Sequence, residues 1–145
     1  MIRGQYKSNI VQTIVNIIIP FVQLFALYVV IHGHYGPGGG FQGGVLLAIT
    51  IILQRFCAGR EVSYKKFPPQ TALIFAACGM LIFAISGLIP LFVGASFLDY
   101  SALPLFWVHG AELRSLGILI VEIGIALAVF GTMVAVFDTL AGRQW

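Results

Sequence analysis

The sequence predicts an all-α integral membrane protein with four transmembrane helices, on the basis of its composition, its long apolar runs and the absence of alternation within them. Hydrophobic residues make up 59% of the 145 positions and charged residues only 9%, whereas soluble domains carry about 25% charged residues. The mean hydropathy is +0.99. Residues 14–19 and 49–53 are apolar almost throughout, so the period-2 pattern of a membrane β-barrel is missing and helices are implied.

Four stretches of this single domain are long enough to cross a bilayer, which takes roughly 20 apolar residues per helix. The predicted spans cover approximately residues 9–31, 39–56, 71–94 and 114–137. All basic residues except Arg114 then fall on one side of the membrane: Arg3, Lys7, Arg55, Arg60, Lys65, Lys66 and Arg143. The positive-inside rule predicts that both termini are cytoplasmic, in a multi-pass protein of the cytoplasmic membrane. The pI of about 9.1 follows from this topology and requires no nucleic-acid partner.

Polar residues of the first span line up on one helix face. Asn9, Gln12, Asn16 and Gln23 are spaced i, i+3, i+7 and i+14, which places them in one narrow stripe that is predicted to avoid lipid. Two interpretations are open. The amides either hydrogen-bond neighbouring helices, each contributing on the order of 1 kcal/mol, or line a hydrated pathway in which Asn16 and Gln23 contact an ion or a proton.

Small residues recur at heptad positions of the last span and predict a seam for close helix packing. Besides Val121, this seam contains Gly117, Gly124, Ala128, Gly131 and Ala135. Glu122 lies about 160° away from the seam. An ionised carboxylate at this depth costs roughly 2.5 kcal/mol or more, so we expect Glu122 to face protein or water, with neighbouring subunits completing the packing. Glu122 is either a proton or cation site or a structural carboxylate bonded to a partner group.

The stretch between the first two spans is rich in glycine and histidine. One set of small residues recurs every four positions and predicts a ridge for helix contact: Gly36, Gly40, Gly44 and Ala48. A second set is not explained by this packing: Pro37, Gly38, Gly39 and Gly43. The second set predicts a helix break followed by exposed backbone N–H groups, which suit an anion or a carboxylate.

Three histidines, His32, His34 and His109, fall near the predicted outer surface. They lack the facing positions that haem requires and the acidic or cysteine partners of a metal site, so no metal or other cofactor is predicted. Val45 and Leu46 stand where a phosphate-binding loop needs Lys followed by Ser or Thr, which argues against nucleotide binding. For His34 two interpretations are open: a proton relay that titrates near neutral pH, or a histidine bonded to loop carbonyls.

The glycine-rich motif resembles the hallmark of a known family. Its residues are His32, Gly33, His34, Pro37, Gly38, Gly39, Gly40, Phe41, Gly43 and Gly44. Together with the Glu122-Ile123-Gly124 sequence and the four-span layout, the chain resembles the MnhB/MrpB subunit of multisubunit Mrp-type cation/proton antiporters. The resemblance implies a small subunit of a module that exchanges Na⁺ for H⁺ beside large complex I-like antiporter subunits. Membrane-bound hydrogenases and sulfur-reducing respiratory complexes contain similar subunits and are the alternative host.

Three functional hypotheses are consistent with the sequence. The first is an ion-translocating subunit in which Glu122 and His34, with Asn16 or Gln23, contribute to a Na⁺ or H⁺ route. The second is a scaffold whose polar residues only hold helices to neighbouring subunits. The third is a stand-alone four-helix exporter of cations, although the buried acid of that class is expected in the first span, which has none. A nucleophile and base pair is also missing from the sequence, so we expect no catalytic site in this chain.

Overall fold

Four long helices make up most of the described part of the protein. The computed structural model describes residues 8–33, 36–103 and 110–143. In chain order the helices are α1 (Asn9–Ile31), α2 (Gly40–Ala58), α3 (Arg60–Lys66), α4 (Pro69–Phe92) and α5 (Ala111–Arg143), with a 3₁₀ turn at Tyr100–Ala102. No strand occurs in these ranges, and α1, α2, α4 and α5 are each long and apolar enough to cross a membrane. The predicted all-α class with four spans is confirmed, and the orientation of the termini stays a prediction.

The last helix is longer than the predicted span. It contains 33 residues, and at 1.5 Å per residue it is roughly 50 Å long. The hydrocarbon core of a bilayer is only about 30 Å thick, so the ends of α5 extend beyond it. The predicted span ended at residue 137, so it did not include Asp138. In the structure Asp138 is part of α5.

The central element is α5, which packs along α2 on one side and along α4 on the other, while α1 packs against α2. Buried side chains from three helices meet in a core cluster that contains Ala48, Ala72, Phe130 and Val134. The ring of Phe130 meets the ring of Phe75 edge to face, with 5.5 Å between the ring centroids. This cluster ties α2 and α4 to α5.

Small residues allow α4 and α5 to approach closely. A Cβ atom at Gly79 of α4 would overlap the backbone of α5 at Ala128 and come within 2.5 Å of the carbonyl oxygen of Gly124. A Cβ atom at Gly131 of α5 would overlap the backbone of α4 at Ala72. Residues of the predicted seam that contact α4 or border the core cluster are Gly124, Ala128, Gly131 and Ala135.

The ridge at the start of α2 packs against α5. Gly40 lies against the backbone of Glu122, and a Cβ atom at Gly44 would lie 2.6 Å from the carbonyl oxygen of Ala126. Nothing lies within 4 Å of the Cβ position of Gly36. The part of the predicted ridge that contacts α5 therefore begins at Gly40.

Gly43 faces a different helix. Its Cβ position would overlap the side chain of Val30 and lie 2.9 Å from the carbonyl oxygen of Ala26, both on α1. The expectation that packing does not explain Gly43 is therefore wrong, because this glycine lets α1 approach α2 while Gly40 and its ridge face α5.

Broad apolar surfaces remain exposed on α1 and α4. The exposed large side chains of α1 are Ile10, Ile14, Ile17, Ile18, Phe21, Leu24, Phe25, Leu27, Tyr28 and Ile31. Those of α4 are Leu73, Ile74, Met80, Leu81, Ile85, Leu88, Leu91 and Phe92. Such surfaces suit contact with lipid or with apolar helices of neighbouring proteins.

Candidate functional site

The carboxylate of Glu122 lies at the glycine-rich break between α1 and α2. A Cβ atom at Gly33, just after α1, would be 2.5 Å from its Oε2 atom, and one at Gly39, just before α2, would be 3.2 Å from its Oε1 atom. The side chain thus reaches from the middle helix of the bundle to the loop. The structure therefore brings together the two features that the sequence singled out separately, the glycine motif and the acid of the last span.

Gly39 and Gly40 permit this approach for two different reasons. Gly39 has a φ of 142°, which side chains of L-residues rarely adopt. Its carbonyl accepts a hydrogen bond from the backbone N–H of Gly43, with 3.0 Å between the two atoms, and so closes the first turn of α2. Gly40 has no room for a Cβ atom, because that atom would overlap the carbonyl group of Glu122. Larger residues at either position would move α2 away from the acid.

The N-terminus of α2 favours a negative charge at this place. Backbone N–H groups in the first turn of a helix have no partner within the helix, and the helix dipole places about half a positive charge there. The carboxylate of Glu122 beside Gly39 lies at this end. The start of α2 in the same chain therefore contacts this face of α5, and the expectation that neighbouring subunits complete the packing stays a prediction.

Tyr100 lies at the same end of α5. Its ring covers Gly117, with Cδ1 2.7 Å from the Cβ position of that glycine, so this member of the predicted seam faces a turn. Burial and then the negative charge of Glu122 raise the pKa of Tyr100. The preceding Asp99 accepts hydrogen bonds from the hydroxyl and the backbone N–H of Ser101, which lower the pKa of Asp99 and shape the turn. Tyr100 therefore lies within the electrostatic field of Glu122.

Two of the three histidines, His34 and His109, lie outside the described residues. The third, His32, is exposed and stacks on Tyr28, with 4.3 Å between the ring centroids. Phe41, in the first turn of α2, is also exposed. In the ranges that the structure describes, no three His, Cys, Asp or Glu side chains form a group that could hold a metal ion. The role of His34 stays a prediction.

The amides of the first span bond to α2. Gln12 donates from Nε2 to the carbonyl of Cys57, and Gln23 donates from Nε2 to the hydroxyl of Thr50, each over 3.2 Å. Asn16 is exposed and lines, together with Gln12 and Cys57, a small cavity of about 30 Å³ between α1 and α2. These bonds favour the interpretation of Gln12 and Gln23 as residues that hold two helices together.

Asn16 and Gln23 are not brought to Glu122. The loop at Gly33 marks the level of the carboxylate, and Gln23 and Asn16 precede it by 10 and 17 residues in the sequence. At 1.5 Å per helical residue these separations correspond to roughly 15 Å and 25 Å. A direct contact of either amide with Glu122 is therefore absent from this arrangement.

A second charged site joins α2 to α5 at the opposite end. Arg55 of α2 forms an ion pair with Asp138 of α5, and only 1% and 7% of the two side chains are exposed. The Nη2 atom of Arg55 also donates to the carbonyl of Phe67 over 3.3 Å. Its guanidinium lies over the ring of Tyr64, 4.9 Å from the centroid, and the Tyr64 hydroxyl donates to Asp138 over 3.3 Å. The site therefore connects α2, α3 and α5.

Sequence reasoning missed this ion pair. It treated Arg55 only as a charge that determines topology, and Asp138 followed the predicted end of the last span. The signal that could have revealed the pair is an acid and a base placed near the ends of two apolar helices, because a lone buried charge is strongly unfavourable and requires a partner.

Comparison with known proteins gives consistent matches. A family model described as a domain related to the MnhB subunit of Na⁺/H⁺ antiporter matches residues 10–135. The chain is 28% identical over 130 residues to a Na(+)/H(+) antiporter subunit of Bacillus subtilis (strain 168), covering 83% of this chain and 90% of that protein. It is 30% identical over 127 residues to the putative antiporter subunit mnhB2 of Staphylococcus aureus (strain Newman), covering 81% and 89%. A protein of the same name from Staphylococcus haemolyticus (strain JCSC1435) is 29% identical over 120 residues, covering 81% and 84%.

Proposed function

The chain belongs to the MnhB family of Na⁺/H⁺ antiporter subunits, and on this premise we propose that it is a small membrane subunit of an Mrp-type cation/proton antiporter module. In this proposal Glu122 is the carboxylate that binds the ion or the proton. The observation that carries the proposal is the position of that carboxylate between Gly33 and Gly39, at the N-terminus of α2. The protein is a multi-pass protein of the cell membrane, and ionisable side chains within membrane spans typically mark ion or proton pathways.

The surroundings of Glu122 suit exchange of two cations. Carboxylate and backbone carbonyl oxygens are ligands that hard cations prefer, and the same carboxylate can take up a proton instead. Binding of either cation to one carboxylate couples their movements, because each must leave before the other binds. Because Gly33 and Gly39 carry no side chains, peptide groups without net charge lie next to the carboxylate.

His34 is the proposed proton donor to this site. It follows Gly33 directly in the sequence, and an imidazole titrates near neutral pH.

The exposed apolar surfaces of α1 and α4 are proposed to face lipid and the other membrane subunits, including complex I-like antiporter subunits. The interhelical hydrogen bonds of Gln12 and Gln23 support a structural role for these amides. The proposed ion or proton route therefore starts at Glu122 and does not include these two side chains.

The Glu122→Gln variant tests this proposal in the complete antiporter complex. We expect it to abolish the Na⁺-dependent movement of protons out of acidified everted membrane vesicles, measured with a pH-sensitive dye and normalised to the amount of assembled complex. The matched control is Glu112→Gln, which removes an exposed acid from the first turn of the same helix and should leave exchange unchanged. Normal exchange per assembled complex in Glu122→Gln would support the scaffold hypothesis instead.

A further inference from the structure

Two separated contacts hold α2 against α5. At one end Gly40 lies against Glu122, and at the other Arg55 pairs with Asp138. The two contacts are 15 residues apart along α2 and 16 residues apart along α5, which corresponds to roughly 22 Å and 24 Å of helix. These matched separations show that the two helices run in the same direction in one register over this length.

The glycine contact alone does not specify this register. Small residues recur every four positions on α2, so a shift of one helical turn, about 5.4 Å, would place Gly44 opposite Glu122 and Ala48 opposite Ala126. The backbones of α2 and α5 could still approach closely in the shifted arrangement. A repeated ridge of small residues therefore favours contact between the helices without selecting one register.

The ion pair distinguishes between these registers. The same shift would separate Arg55 from Asp138 and remove the guanidinium from its position over Tyr64. Each of the two almost fully buried charges would then lack its partner in the ion pair, and the shifted arrangement would be strongly destabilised. Buried ion pairs add little stability compared with apolar residues of similar volume, and their best-supported role is to specify register.

We propose that the ion pair between Arg55 and Asp138 specifies the register of α2 on α5 and thereby keeps Gly40 opposite Glu122. Arg55 and Asp138 are then positioning residues for a site roughly 24 Å away. The consequence for exchange rests on the proposed function, whereas the claim about register does not depend on it.

A neutral replacement of both charges tests the proposal in the complete complex. The double variant Arg55→Met with Asp138→Leu replaces both charges of the pair by apolar side chains, so we expect it to assemble. The register is read from cysteines introduced at Phe56 and Phe137, whose ring centroids are 5.2 Å apart. The natural cysteines Cys57 and Cys78 are replaced by alanine in this background. We expect a severalfold lower yield of the α2–α5 cross-link and slower exchange per assembled complex.

Two comparisons make the result decisive. Cysteines at Phe83 and Phe97, which connect α4 to the segment after it, should cross-link equally with and without the ion pair. The charge swap Arg55→Asp with Asp138→Arg should restore both the α2–α5 cross-link and exchange. Unchanged cross-linking in the neutral variant, or no recovery in an assembled charge swap, overturns the proposal. The cross-link does not depend on transport, so a failure of the Glu122 hypothesis would leave this result intact and distinguishable.

Discussion

Glu122 and Asp138 lie on the same helix, and the groups that surround them differ in kind. The carboxylate of Asp138 faces the guanidinium of Arg55 and the hydroxyl of Tyr64, all at one end of α2. The carboxylate of Glu122 lies against glycine backbone at the other end of α2. One acid therefore pairs with an arginine side chain, and the other lies beside the backbone at the start of a helix.

In the proposed function this helix carries one acid with a fixed arginine partner and one acid that exchanges cations. A buried carboxylate paired with arginine stays ionised, because protonating it would leave the guanidinium charge buried. A helix N-terminus stabilises a neighbouring carboxylate through a partial charge, and in the proposed function the Glu122 carboxylate at this position exchanges a proton for a cation. Substitutions at the Asp138 pair should consequently lower mainly the stability of the protein, whereas substitution of Glu122 should lower mainly exchange.

The largest expected effect on stability comes from removing one member of the ion pair. Arg55→Met should lower the free energy of unfolding by about 3–5 kcal/mol, because it leaves the Asp138 carboxylate buried without its guanidinium. Thermal unfolding of the purified complex measures this loss. Arg114→Met, which removes an exposed arginine near the start of α5, should change the stability by no more than about 0.5 kcal/mol. Equal effects of the two substitutions would contradict the assigned burial of the pair.

A smaller loss is expected where α2 meets α5 at the other end. Gly40→Ala should destabilise the protein by about 1–3 kcal/mol, because the added Cβ atom overlaps the backbone at Glu122 and forces the helices apart. Gly36→Ala is the matched control, since nothing lies within 4 Å of its Cβ position, and it should be nearly neutral. The same unfolding measurement on both variants checks the close approach. A neutral Gly40→Ala would exclude it.

Gly39→Ala should affect exchange more than its modest effect on stability suggests. The positive φ makes the substitution unfavourable by about 1–2 kcal/mol, and the new methyl group would lie 3.2 Å from the Glu122 carboxylate. Gly110→Ala also places a side chain at a positive φ, 68°, but with nothing within 4 Å of the new methyl group, so it is a control for a positive-φ substitution far from the carboxylate. Exchange per assembled complex should fall in Gly39→Ala and persist in Gly110→Ala. Equal exchange in the two variants would argue against a site at Gly39.

The smallest effect is a shift in the titration of Tyr100. A nearby negative charge disfavours the phenolate and so raises the pKa of the tyrosine, in addition to the larger effect of burial. Glu122→Gln removes that charge and should lower the pKa of Tyr100 while leaving it above the ordinary value. The measurement is the difference in phenolate absorbance between proteins with and without Tyr100→Phe across alkaline pH. An unchanged pKa would place Tyr100 beyond the field of Glu122.

The sequence predicts individual helices and faces better than it predicts which faces meet. The apolar runs define the four spans because hydropathy is a local property. The spacing of Gly40 and Gly44 predicts a contact ridge, but any helix with small residues could fill it. In the structure α5 packs against this ridge, whereas Gly43 faces α1. Which helix contacts which glycine depends on how all the helices pack.

The contacts of the two acids were also not predictable from the sequence, because they depend on which helix faces meet. Glu122 is prominent because it interrupts a long apolar run, yet its contact with Gly33 and Gly39 depends on the arrangement of three helices. Asp138 lies near the end of a helix that is longer than a bilayer requires, so hydropathy does not separate it from an exposed residue. Its partner is 83 positions away in the sequence, and only packing of α2 on α5 brings the pair together.

Carbodiimide labelling of the complete complex tests the difference between the two acids most directly. A hydrophobic carbodiimide reacts with protonated carboxyl groups in apolar surroundings, and mass spectrometry of the peptides identifies the modified residue. We expect modification of Glu122 that Na⁺ slows and that Glu122→Gln removes, with no modification of Asp138 while Arg55 is present. Modification of Asp138 instead of Glu122, or labelling of Glu122 that Na⁺ does not change, would contradict the assignment of Glu122 as the exchangeable site.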